Sequence, residues 1–181
     1  MLQKNFLNVS DDKIYLRPLT AEDATPGYCA WLNDPEVTKY LEVKSCTMEE
    51  LKAYIKRHVD SPNSMFLGIF DKINGKHIGN IKLEPINHKS GTAVLGIVIG
   101  DKEYWGKGVG TEAVKLCVRW VFESLGLNEL TLGFIAGHVA AERSYERAGF
   151  AYLRTNKHKV WNEGAWHDEI EMVIRKDGVD K

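Results

Sequence analysis

A glycine-rich stretch between a β-type segment and an amphipathic helix constrains this chain more than any other feature of its sequence. Three glycines alternate within residues 104–113, which closely follow the apolar run Thr92–Ile99. From Thr111 onward, apolar residues recur at helical spacing, and this predicts a helix that ends at Gly126. Free N–H groups at the start of such a helix, together with the helix dipole, form a site for a phosphate or pyrophosphate. A tight turn needs fewer glycines, so we favour the anion site.

Two well-known phosphate-binding patterns fit this stretch poorly. A P-loop requires a serine or threonine directly after its lysine to hold magnesium, and here Lys107 is followed by Gly108. Residues 108–113 do satisfy the dinucleotide pattern G-x-G-x-x-[GA]. However, the ribose-binding acid of that motif belongs at the end of the second strand, and Glu129 lies at its start. A dinucleotide-binding reductase therefore stays only as an alternative.

The rest of the chain divides into an early helical part and a later part rich in strands. Capping patterns predict helical segments after Thr20, after Asn33 and after Thr47; Pro26 is expected to interrupt the first, so that its helix resumes near Tyr28. A further short helix is predicted at 140–148. Strands are predicted at 13–19, 65–70, 77–83, 92–99, 129–135 and in a closing pair over 150–174. One strand–helix–strand crossover then implies a single parallel pair in a mixed sheet.

Charge and cysteine usage exclude several classes of protein. The chain has 24 basic and 25 acidic residues, a net charge of −1, so neither a nucleic acid nor a membrane surface is an expected partner. Its three cysteines form no C-x-x-C pair and its histidines no H-E-x-x-H motif, so we expect no disulfide framework and no metal. The first residues do not read as a secretory signal, and a cytoplasmic location is expected.

The glycine-rich stretch resembles the acyl-CoA pyrophosphate loop of the GNAT superfamily of N-acetyltransferases. In the family consensus [QR]-x-x-G-x-[GA], the two small positions fall on Gly108 and Gly110, while Trp105 departs from the usual Gln or Arg. The Y-W-G-K-G pattern is similar to the branch of ribosomal-protein-alanine and amino-sugar acetyltransferases. Further similar segments lie at Leu16–Leu19, Trp31–Val37 and Gly149–Phe150.

The resemblance implies a fold, a domain and a cosubstrate. The fold would be the GNAT fold of the α/β class (α+β type), with a mixed, mostly antiparallel sheet of about six to seven strands flanked by about four helices. Residues 13–175 would form a single domain, with 1–12 and 176–181 as terminal extensions. Acetyl-CoA would be the cosubstrate. Its implied binding residues are Ile97, Val98, Ile99, Trp105, Gly106, Lys107, Gly108, Val109, Gly110, Thr111, His138 and Tyr145.

A second family motif, N-x-x-S-x-x-x-Y-E-K-x-G-F, falls on residues 138–150 with two departures. His138 replaces the usual Asn, and Ala141 replaces the usual Ser. These changes imply weaker cofactor binding, compensation by His138, or an altered function. A non-catalytic acyl-CoA-binding or sensing module is therefore the main alternative to an enzyme.

The resemblance also assigns roles in catalysis. Tyr145 would give a proton to the departing thiolate, because a phenol with a pKa near ~10 holds its proton at neutral pH. The strand that contains Ile97 would separate from its parallel neighbour so that its main chain holds the pantetheine arm. Glu84, near the end of the preceding strand, is a candidate general base, although a solvated carboxylate explains it equally; Asp101 and Glu103 are alternatives.

The acceptor amine is expected to bind beside the early helical segment. Its candidate residues are Trp31, Asn33, Asp34, Glu36 and Tyr40. The W-L-N-D-P-E-V segment resembles enzymes that act on nucleotide-linked amino sugars more than those that act on protein N-termini, and polyamines and antibiotics stay open as acceptors. An exposed closing strand would also permit a homodimer by edge pairing, which the sequence alone does not establish.

Overall fold

The fold is organised around an eight-stranded sheet, seen in a computed structural model that describes residues 9–178. The strands are β1 (Val9–Ser10), β2 (Ile14–Pro18), β3 (Met65–Asp71), β4 (His77–Asn87), β5 (Thr92–Ile99), β6 (Glu129–Ile135), β7 (Ala151–Asn162) and β8 (Ala165–Arg175). Their order across the sheet is β1-β2-β3-β4-β5-β6-β8-β7. Within these residues, β5 and β6 are the only parallel neighbours, so the expected mixed, mostly antiparallel sheet is confirmed.

The strand count exceeds the predicted six to seven because of β1. This short strand pairs with β2 and lies inside the stretch predicted as an N-terminal extension, where two residues carry too little pattern to be recognised. Residues 176–178 of the predicted C-terminal extension form a short 3-10 turn. The rest of the two predicted extensions, residues 1–8 and 179–181, lies outside the described residues.

Five α-helices accompany the sheet, where about four were expected. They are α1 (Pro26–Trp31), α2 (Pro35–Thr38), α3 (Met48–Asp60), α4 (Val109–Trp120) and α5 (Val139–Arg147). A short 3-10 helix over Ala21–Asp23 follows Thr20 and ends before Pro26, which confirms the predicted interruption, but the next helix begins at Pro26 and not near Tyr28. Pro26 occupies the first position of α1, where its missing N–H costs nothing, and the Thr25 hydroxyl caps the helix by accepting from the Tyr28 N–H at 3.2 Å.

Helices cover both faces of the sheet. Helix α4 buries Ala113, Val114 and Cys117 completely against one face, which we call the α4 face. Helices α1 and α3 pack on the opposite face, called the α3 face here, around Leu51 and Ile55. Alternation along each strand thus assigns every side chain to one of these two environments.

Two further features of the fold concern its cysteines and the length of its helices. All three cysteines carry free thiols, and Cys117 is buried within α4. Among residues 9–178, no helix combines the length and apolar character needed to cross a bilayer.

Candidate functional site

The parallel pair β5–β6 separates halfway along its length. Pairing links Thr92–Val94 with Glu129–Thr131 and stops there, although both strands continue for several residues. The remaining main chain of β5 therefore has no sheet partner on its β6 side. This is the divergence of strands that the resemblance implies.

A cavity of about 700 Å³ extends from this separation to the glycine-rich loop. It brings together most of the residues predicted to bind the cosubstrate. Those that line it are Ile97, Val98, Ile99, Trp105, Gly106, Gly108, Val109, Gly110, Thr111, His138 and Tyr145. Segments distant in the sequence thus meet at one site.

The loop geometry suits a diphosphate. Gly108 caps α4 in the left-handed conformation, with φ of 79°, and the Glu112 N–H makes the first backbone bond of the helix to its carbonyl. The N–H groups of the first helical turn therefore have no partner within the helix. A Cβ added at Gly106 or Gly108 would meet nothing within 4 Å, so a ligand can approach the main chain closely.

The loop side chains of Trp105 and Lys107 make different contacts. Trp105, which departs from the family consensus, donates its indole N–H to the Ile99 carbonyl at 2.8 Å and so ties the loop to the end of β5. Lys107 does not line the main cavity. Its ammonium lies 5.7 Å from the centre of the Tyr104 ring and borders a separate cavity of about 770 Å³.

Helix α5 places two titratable rings beside the cavity. Tyr145 is buried against Phe134 and Phe150, and burial raises its pKa to about 12. His138 stacks on Tyr40 with 3.9 Å between ring centres. Burial, with the nearby Lys39 ammonium, lowers the pKa of His138, so its ring is neutral at neutral pH.

Polar residues of α5 that were not among the predicted site residues line the same cavity. Ser144 lies one turn after Ala141, and its hydroxyl is 2.9 Å from that of Thr111, which joins α5 to the start of α4. Arg143 and Arg147 contribute two cations. Their spacing of four residues, within the second family motif at 138–150, is the signal that would have found them.

Only part of the predicted acceptor site borders this cavity. Glu36 and Tyr40 line it. The ring of Trp31 instead packs on Gly100, where an added Cβ would come within 2.2 Å of it. Asn33 bonds the Cys29 and Cys46 carbonyls, each at 2.8 Å.

The two acids near Asn33 share one lysine. Asp34 caps α2 by accepting from the Glu36 N–H. Lys102 contacts the Asp34 carboxylate at 2.7 Å and the Glu36 carboxylate at 2.6 Å. One positive charge is therefore shared between two carboxylates, and the group of three keeps a net charge of −1.

Each candidate general base lies close to a lysine ammonium. Glu84 lies within β4 on the α3 face, at 3.3 Å from His58 Nδ1 and 3.3 Å from Lys82 Nζ, and it does not line the main cavity. Asp101 and Glu103 both pair with Lys76, at 2.6 Å and 3.1 Å. Within the described part of the chain, no three His, Cys, Asp or Glu side chains are arranged to hold a metal ion.

Comparison with known proteins agrees with this geometry. The sequence model of the acetyltransferase (GNAT) domain family matches residues 13–151. The chain is 27% identical over 169 residues to a probable N-acetyltransferase, YjcK, of Bacillus subtilis, covering 89% of this chain and 93% of that protein. It is 29% identical over 167 residues to spermidine N(1)-acetyltransferase of Escherichia coli K12, covering 91% and 87%.

A solved structure confirms the fold. Spermidine N-acetyltransferase from Vibrio cholerae, in complex with CoA and spermine, superposes with a TM-score of 0.86 at 21% identity, covering 94% of this chain and all of that one. The separated strands, the glycine-rich loop and the family match agree, and the chain belongs to the GNAT family of acetyltransferases, enzymes that acetylate amines.

Proposed function

We propose that this enzyme transfers the acetyl group of acetyl-CoA directly to a primary amine of a small molecule. The observation that carries the proposal is the continuous cavity, which connects the glycine-rich loop with the separated strands and with Tyr145. Residues 13–175 would act as the single catalytic domain.

Each part of the cavity has a role in this reaction. The loop N–H groups would bind the diphosphate, with Arg143 and Arg147 adding positive charge. The main chain of Ile97–Ile99 that faces β6, and has no sheet partner there, would hold the pantetheine arm and present an N–H to the thioester oxygen. The neutral amine nitrogen would form a bond to the carbonyl carbon as the C–S bond breaks and would release one proton to solvent. Tyr145 would supply a proton to the sulfur and be reprotonated from solvent.

The proposal also concerns which class of amine accepts the acetyl group. The early-segment motif favours a nucleotide-linked amino sugar within the ribosomal-protein and amino-sugar branch. The relatives named spermidine acetyltransferases favour an alkyl amine that is cationic at neutral pH. We propose the alkyl amine, because a compact ammonium needs only carboxylates and main-chain carbonyls, whereas a nucleotide sugar would also need a second site for phosphate.

Isothermal titration with acetyl-CoA, with NADH in parallel, tests the cosubstrate. Micromolar or tighter binding of acetyl-CoA without binding of NADH is expected, and no acetyl-CoA binding would overturn the proposal. A thiol-release assay with spermidine, a nucleotide-linked amino sugar and a short peptide then tests turnover. Binding without turnover of any amine would favour the non-catalytic acyl-CoA module.

A further inference from the structure

The separation of β5 and β6 is bordered by two glycines on the α3 face. Gly96 pairs with Lys82 of β4, and Gly133 pairs with Glu171 of β8. Continuing the β5–β6 register beyond its last pair, Val94 and Thr131, brings these glycines opposite each other. Both are exposed, so bare main chain borders the opening on each side.

Tyr145 lies on the other side of the sheet. It packs with Phe134, whose side chain belongs to the core under α4. The proton donor for the thiolate and the glycine-bordered opening are therefore on opposite faces. An amine that enters from the α3 face would reach the strand separation without crossing the cavity that holds the cosubstrate.

One carboxylate lies over the Gly133 border of this opening. A Cβ built on Gly133 would be 2.6 Å from Oε1 of Glu169, so the carboxylate covers the position where a side chain would be. The Asn156 amide donates to Oε2 of Glu169 at 2.9 Å and also reaches Glu171 at 3.3 Å. Glu169 is thereby fixed in place by its neighbouring strand.

The neighbouring carboxylates form close ion pairs, whereas Glu169 interacts with the Arg154 cation only at longer range. Arg154 pairs with Glu171 at 2.6 Å, and Lys82 lies 3.3 Å from Glu84 and donates to the Tyr54 hydroxyl at 2.9 Å. No lysine or arginine of residues 9–178 lies within 4.0 Å of the Glu169 carboxylate. A half-buried carboxylate with no lysine or arginine in direct contact, beside exposed main-chain carbonyls, is suited to an ammonium.

We infer that Glu169 binds the acceptor as an ammonium at the opening between Gly96 and Gly133, and that the bound nitrogen releases one proton to solvent before it attacks the thioester. Glu169 thereby selects cationic alkyl amines over acceptors that carry phosphate. The inference rests on the proposed acetyl transfer and adds to it the residue that determines the acceptor class.

Glu169→Gln tests the role of the charge, with spermidine as the probe. We expect kcat/KM for spermidine to fall about 10- to 100-fold, mainly through KM, because one charge-assisted hydrogen bond is lost. The affinity for acetyl-CoA should not change, and Glu169→Asp should restore part of the activity. Glu129→Gln is the matched control, since it removes a carboxylate at the start of β6 that pairs with Arg175 at 2.7 Å.

Gly133→Ala tests the geometry without changing charge. The new methyl would displace the end of the flexible Glu169 side chain, which permits folding but moves the carboxylate off the opening. We expect it to raise the KM for spermidine in the same way as Glu169→Gln.

Titration of spermidine into CoA-saturated protein separates the two proposals. Failure of the wild-type protein to bind acetyl-CoA would overturn the proposed function. Binding of acetyl-CoA without binding of spermidine, or equal spermidine affinity in wild type and Glu169→Gln, would overturn only the role of Glu169. A preference of the wild type for a nucleotide-linked amino sugar would also overturn it.

Discussion

Burial controls the chemistry of the single residues beside the cavity. The Tyr145 phenol has a pKa of about 12 because its surroundings are apolar, so it keeps its proton over the range in which alkyl amines become neutral. Burial acts on His138 in the opposite sense and keeps its imidazole uncharged at neutral pH. Tyr145 must be protonated to act as an acid. The neutral His138 ring stacks on Tyr40.

Tyr145→Phe should lower kcat about 10²- to 10⁴-fold while the Kd for acetyl-CoA stays within about twofold, because the substitution removes the acid and keeps the packing. Steady-state kinetics and calorimetric titration measure the two quantities. Tyr152→Phe, which removes the hydroxyl of an exposed tyrosine, serves as the control and should leave both unchanged. Full turnover by Tyr145→Phe would mean that water or another group protonates the thiolate.

At the level of secondary structure, the junction of β5, the glycine loop and α4 defines the site. The Ile99 carbonyl receives the Trp105 indole N–H, and Gly108 turns the chain directly into α4. The start of α4 is then fixed to α5 through Thr111 and Ser144. Three elements thus share one cavity wall, and a change at Gly108 should affect both folding and ligand binding.

Gly108→Ala should weaken acetyl-CoA binding about tenfold and destabilise the fold by about 1 to 2 kcal/mol, because a left-handed alanine is strained. Gly75→Ala is the matched control: its φ is 70°, and an added Cβ also meets nothing within 4 Å. Both variants should lose similar stability in urea unfolding, while only Gly108→Ala loses affinity. Equal acetyl-CoA affinity in the two variants would argue against binding by this loop.

Across the whole molecule, three histidines on different elements have a pKa below the ordinary value of histidine. Burial lowers the pKa of His58 on α3, of His77 on β4 and of His138 before α5. His77 packs among the rings of Phe70 and Trp31. Each is held neutral by the fold, so unfolding allows each to take up a proton more readily.

The free energy of unfolding should therefore fall as the pH drops below about 6.5, where unfolded histidines begin to bind protons that the folded ones exclude. Each histidine contributes a slope of at most about 1.4 kcal/mol per pH unit. Urea unfolding between pH 7.5 and 5.5 measures this slope. His77→Gln should reduce it and His88→Gln, at an exposed position, should not; a pH-independent unfolding energy would refute the prediction.

The sequence by itself determined the features that depend on a few neighbouring residues. The capping box at Thr47, the glycine loop and the amphipathic α4 are local signals, and each was predicted and found. The family motifs likewise located Tyr145 and Gly108. Helical spacing along α5 would also have predicted that Ser144, one turn after Ala141, lines the cavity.

The tertiary structure alone decided which of these residues meet. Trp31 and Asn33 have the composition of a binding site, yet they pack on Gly100 and on the Cys29 and Cys46 carbonyls. The position of Glu169 over Gly133 depends on β6 and β8 being neighbours, although 36 positions of sequence separate these two residues. Strand order and register are set by packing between distant segments, and no local pattern encodes them.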